Sequence, residues 1–100
     1  MQAKEMSNQQ LDQALAELTN YEGLENYDTP CYSYEPIASI EIQAKAIAYD
    51  AETYVRNLGR VVCDWSPEKF NCKSVAELLM ANPRQRAEAV YMTLIETQSS

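Results

Sequence analysis

A mainly α-helical domain is what this sequence predicts. Apolar residues recur at three- and four-residue intervals in several separate segments, capping signatures stand in front of them, and only two glycines interrupt 100 residues. The expected architecture is a compact bundle of four or five helices. One stretch, residues 54–65, has enough strand character to allow a short β-hairpin, which would make the fold α+β instead. A chain of this length holds one domain with one modest core, so residues 1–100 are read as a single unit.

The first helix is the clearest. Ser7 and Gln10 have the spacing of a capping box, in which each side chain satisfies the other residue's backbone N–H. Leu11, Ala14, Leu15 and Leu18 follow at helical spacing, placing the helix from Asn8 to about Thr19. Residues 1–6 precede the cap and are expected to fray. From Asn20 to Glu35 no period persists, and Gly23, Asn26, Asp28, Thr29 and Pro30 supply turn chemistry, which reads as one long loop.

A second helix is expected with Ser33 as its cap and Pro36 in its first turn. Ile37, Ile40, Ala44, Ile47, Ala51, Tyr54 and Leu58 then step by three and four. Such a stripe belongs to a core face or to a seam between two copies, and the need of a small domain to bury its best stripe favours the core. Gly59 is the expected end, unless Asp50 interrupts the helix by capping a separate one from Ala51. Between Ser39 and Ala46 the alternation of Ile40, Ile42, Ala44 and Ala46 also fits a strand, but alanine richness favours helix. Val61, Val62, Cys63 and Trp65 read either as a short strand, turned at Gly59 against Tyr54–Leu58, or as the end of the helical region.

Further on, Ser66 and Pro67 suggest a helical turn, and Ser74 with Glu77 predicts a cap and a short helix over Val75–Ala81. Asn82, Pro83 and Gln85 combine a cap, a fixed first residue and a reciprocal partner at the start of the last helix. Ala87, Val90, Tyr91, Leu94 and Ile95 are expected on its inner face, with residues 97–100 frayed.

Charge is unevenly distributed. The net charge is −7, and residues 1–35 carry one base against seven acids, leaving the remaining residues almost neutral. A field of that sign repels phosphate backbones and anionic lipid and attracts basic surfaces, so direct nucleic-acid binding and membrane association are not expected. No run of about 18 apolar residues occurs, and the polar start lacks the apolar stretch of a secretory signal; the expected location is cytoplasmic. Cys31, Cys63 and Cys72 are odd in number and irregularly spaced, which reads as reduced, buried or partly buried thiols.

Catalytic chemistry finds little footing. The chain has no histidine, the usual base beside a nucleophilic Ser or Cys and a frequent zinc ligand. Its two glycines are far apart, its acids are scattered, and no calcium-loop spacing occurs. No enzyme activity, metal or cofactor is therefore expected. Arg84 and Arg86 oppose the dipole at the start of the last helix, so they are expected to pair with acids of the first third or to serve binding.

Tyrosine marks the candidate contact surface. Tyr21, Tyr27, Tyr32 and Tyr34 are interleaved with Glu22, Glu25, Asp28 and Glu35 in the long loop. Tyrosine brings large contact area at little entropy cost, and the carboxylates add a rim that selects a basic protein partner. The competing reading places the same rings over the core. A nucleotide-like ligand stacked on the rings is a second possibility, with Arg56, Arg60, Arg84 and Arg86 as suppliers of charge for its phosphates. Self-assembly is a third, as a homodimer through the Ile37–Leu58 helix.

The segments NQQLDQALAEL, YDTPCYSYEPIASIEIQAKA, YVRNL and ANPRQRAEAVYMTL together resemble small hypothetical accessory proteins of tailed phages and prophages. Those proteins have an N-terminal helix, a Pro-x-Tyr loop leading into a helix rich in Ala and Glu, and a C-terminal QRAEA-type helix. Here the matching features are Leu11–Leu18, Pro30 with Tyr32, Ile37–Ala46 and Gln85–Ala89; the residues from Asp64 to Asn82 are extra. The resemblance implies a protein that binds and modulates or inhibits a host protein, including nucleic-acid-binding defence components, without chemistry of its own.

Overall fold

The computed structural model describes residues 2–19, 31–63 and 71–98. A 3-10 turn at Ala3–Glu5 leads to α1 (Asn8–Leu18), α2 (Pro36–Cys63), α3 (Cys72–Leu79) and α4 (Pro83–Gln98). The mainly helical expectation holds, and no strand occurs among the described residues. Of the two readings of residues 54–65, the helical one holds as far as residue 63, where the stretch continues α2 and forms no hairpin; Trp65 and the turn at Ser66 and Pro67 lie outside the described residues.

α1 begins as its capping box requires. Ser7 Oγ accepts from the Gln10 N–H at 3.1 Å, and Gln10 Oε1 accepts from the Ser7 N–H at 2.9 Å. α4 begins with the same reciprocal geometry between Asn82 and Gln85, at 2.8 and 2.9 Å, with Pro83 as its first residue. α3 differs from expectation. Its cap is Asn71, whose side chain accepts from the Ser74 N–H at 2.9 Å, so the helix starts three residues earlier than a cap at Ser74 would place it. Asn, like Ser, caps well, and here the upstream residue takes the orphan donors first.

Ser33 does not cap α2. Its own N–H is taken by Asp12 Oδ1 of α1 at 2.8 Å, and the helix begins at Pro36, where the missing N–H of proline costs nothing. Gly59 does not end it either; the residue is buried within the helix, which runs on to Cys63. The break falls instead at Asp50, whose backbone is extended at φ −164°, ψ 91°. Asp50 Oδ1 accepts from the Thr53 N–H at 3.1 Å and its Oδ2 from the Thr53 hydroxyl at 2.7 Å, the bonding of a helix cap.

That break changes which side of α2 is buried. Ahead of Asp50 the buried side chains are Ser39, Ile42 and Ala46; beyond it they are Tyr54, Asn57 and Leu58. On a wheel of roughly 100° per residue the centre of the buried face moves by about 80°. The predicted stripe is thereby split. Tyr54 and Leu58 join the core, whereas Ile37, Ile40, Ala44, Ile47 and Ala51 stand on the outside, so the first half of that stripe is not a core face.

α4 is the central helix, lying along α2 and against α1. Ala87, Ala89, Val90, Thr93 and Leu94 are fully buried on it, more than one stripe, because it has neighbours on several sides. Tyr91 and Ile95, expected inside, are only partly covered. Leu11 and Leu15 of α1 and Ile42, Tyr54 and Leu58 of α2 complete the main cluster. Two polar contacts fix register within it. Asn57 Nδ2 donates to Thr93 Oγ1 at 3.1 Å, and Tyr54 donates to Gln43 Oε1 at 2.6 Å across the break. Burial pushes the Tyr54 phenol well above its ordinary range.

Candidate interaction surface

The turn that enters α2 carries the described part of the tyrosine-bearing segment. Its anchor is Tyr32, 5% exposed and part of the main core, so this ring is packed against the helices and turned away from solvent. Asp12 is the second anchor. It is buried, and its bond to the Ser33 N–H ties the turn to α1. Burial raises its carboxyl above the ordinary range, opposed by the nearby Ser33 hydroxyl and amide and by the charge of Arg84. The amide makes the true hydrogen bond, and the buried hydroxyl is left unpaired.

These two anchors leave Tyr34 and Glu35 outward. Tyr34 is 57% exposed and shares a 2.6 Å contact with Cys31 Sγ, which pushes its phenol above the usual range. Glu35 is exposed at the mouth of α2, where its carbonyl accepts from the Ser39 N–H. Tyr21, Glu22, Glu25, Tyr27 and Asp28 lie outside the described residues. Thus the predicted surface divides: Tyr32 is interior, and Tyr34 and Glu35 are available.

Beyond Glu35 the outward face of α2 continues with Ile37 at 74%, Ile40 at 51% and Ile47 at 43% exposed. Tyr49 is exposed on a different side, where it borders a shallow groove with Thr19, Lys45 and Ala48. This outward isoleucine row is the feature sequence reasoning assigned to the core. Its signal was already present in the strict three-four spacing, which suits a facing helix as well as a core.

The arginines are engaged within the protein. The Arg84 guanidinium meets Glu88 Oε2 at 2.7 Å, Asn8 Oδ1 at 2.7 Å and the carbonyls of Ala3 and Met6 at 2.9 and 2.6 Å. It therefore fastens the N-terminal turn to α4 instead of pairing with an acid of the first third. Arg86 donates to Ser39 Oγ at 3.0 Å, Arg60 to Asn57 Oδ1 at 3.3 Å, and Arg56 pairs with Glu52 at 3.0 Å. Each of the four arginines is thus held by protein partners.

A groove of about 480 Å³ runs between the N-terminal turn, the end of α2 and α4. Val61, Tyr91, Met92 and Ile95 give it apolar walls, while Lys4, Arg60, Glu88 and Glu96 mix the two signs of charge at its edge. Among the described residues no three Cys, Asp or Glu side chains converge as a metal site, and no helix is long and apolar enough to cross a membrane. Cys31 is half-buried and Cys72 is exposed, so the expectation of covered thiols fails at Cys72. Compared with known protein families, curated proteins and solved structures, the chain has no match.

Proposed function

We propose that this chain is a non-enzymatic accessory protein of the phage type, acting in the host cytoplasm by docking onto a basic host protein and modulating or inhibiting it. A nucleic-acid-binding defence component is the kind of target whose basic surface suits an acidic ligand. The observation that carries the reading is the outward placement of Tyr34 and Glu35 at the mouth of α2, on a chain of net charge −7. Tyrosine supplies the contact area and the carboxylate the sign, while Tyr32 and Asp12 hold the turn in place from inside.

The test is capture of host proteins on the immobilised chain over a salt series. The expected result is a basic protein retained at low ionic strength, released as salt rises, and lost with Tyr34→Ala or Glu35→Lys. No retained protein, or one indifferent to both substitutions, overturns the proposal. Nucleotide sequestration is supported less well, since the arginines that would hold phosphates are already engaged with protein partners. Self-assembly has a specific observation in its favour, the outward isoleucine row.

A further inference from the structure

We infer that the outward face of α2 ahead of Asp50 is a homodimer seam, and that two copies pair there as antiparallel helices. The row Ile37, Ile40, Ala44, Ile47 keeps the three-four spacing that a single facing helix requires. It is exposed while Ile42 and Ala46 on the opposite side of the same helix are buried. The helix therefore has two apolar faces, and the fold uses one.

The row also says what covers the other. In an antiparallel pair centred on position 42, Ile37 of one copy faces Ile47 of the second, and Ile40 faces Ala44. Each first-type heptad position then meets one of the second type, and a large side chain fills the space left by a small one. A parallel pair would set Ala44 against Ala44, leaving a gap, and would bring Glu35 of both copies together at one end. The two-fold axis of the antiparallel pair makes the patch self-complementary. An anionic membrane is a poor alternative, because Lys45 is the only base between Glu35 and Asp50.

The row is roughly 15 Å long, so the contact lies at the small end of specific interfaces and the dimer is concentration-dependent. Sedimentation from roughly 1 μM to 1 mM spans the range in which such contacts form. The expected result is a rise from one chain mass to two, and a tenfold or greater loss of association with Ile40→Glu at unchanged helical content. Orientation is read by thiol cross-linking with mass-spectrometric assignment of the linked peptides. A mixture of Ile37→Cys and Ile47→Cys chains should link 37 to 47, and neither variant should link to itself through the new thiol.

A single chain mass at the highest concentration overturns the inference. So does association that ignores Ile40→Glu, or same-position links in place of mixed ones. The host-protein reading is tested at different residues: Ile40→Glu should leave capture that depends on Tyr34 and Glu35 intact, so either idea can fail without the other.

Discussion

Replacing Arg84 by methionine removes the guanidinium that fastens the N-terminal turn to α4 while keeping most of the side chain's apolar length. Four hydrogen bonds disappear: to the carbonyls of Ala3 and Met6, to Asn8 and to Glu88. A hydrogen bond involving a charged group contributes about 1.5–3 kcal/mol when shielded, so a simple sum would exceed 6 kcal/mol. That sum is too large. The guanidinium is 24% exposed, the Asn8 contact is at the surface, and water replaces both the outer bonds and those of a turn that can peel away. Counting the two carbonyl bonds at the low end leaves about 3 kcal/mol, and Glu88, mostly covered and deprived of this partner, offsets part of what fraying recovers. The expected loss is about 2–3 kcal/mol, or roughly 8–24 °C in Tm for a domain of this size. Urea unfolding measures the first figure. Amide exchange locates it, because the Glu5 and Met6 N–H groups, bonded to the carbonyls of Gln2 and Ala3, should lose protection while α2 keeps its own. A loss under about 0.5 kcal/mol, or unchanged exchange at residues 5 and 6, would refute the reasoning.

Three further outcomes are expected. Asp12 is held above its ordinary value of 3.8 by burial, so the folded state favours the neutral acid; its contribution to stability is fully present below that value and is lost as pH rises through the higher folded pKa. Asp12→Asn should therefore gain on the natural chain as pH rises through that window in paired thermal melts, and a constant difference between the two would contradict the assignment. Leu94→Ala removes a fully buried side chain from the central helix and should cost about 2–5 kcal/mol in chemical unfolding. Tyr54→Phe deletes only the bond to Gln43, whose amide can turn to water, and should cost about 0.5–1.5 kcal/mol with the helical signal retained; loss of the fold would assign the hydroxyl a larger part.

Local chemistry was the most legible level of this molecule. The starts of α1 and α4 followed from Ser7 with Gln10 and from Asn82, Pro83 and Gln85, because a cap is satisfied within four residues and needs no distant partner. Asp50 was legible as one of two candidate breaks for the same reason. The contact surface was readable only in part. Tyrosine and acid composition pointed to the segment before α2, but nothing in the string distinguished Tyr32, which packs inward, from Tyr34, which does not. The end at Gly59 was misread, and the choice between hairpin and helix around it was left open, because a glycine in a packed helix is paid for by neighbours that the string does not show.

By itself, then, the sequence determined helices, their capped beginnings and an acidic front, all set by interactions between residues a few positions apart. Tertiary structure decided which side of each helix is inside. Between α2 and α4, Asn57 meets Thr93 and Ser39 meets Arg86, and the buried residues of the two helices include Ser39, Ala46, Asn57, Ala87, Ala89 and Thr93, small or polar residues that a hydrophobic count passes over, while Ile37, Ile40 and Ile47 stay out. Burial depends on how nearly two backbones can approach as well as on how apolar a side chain is, and that approach exists only once the helices are packed together.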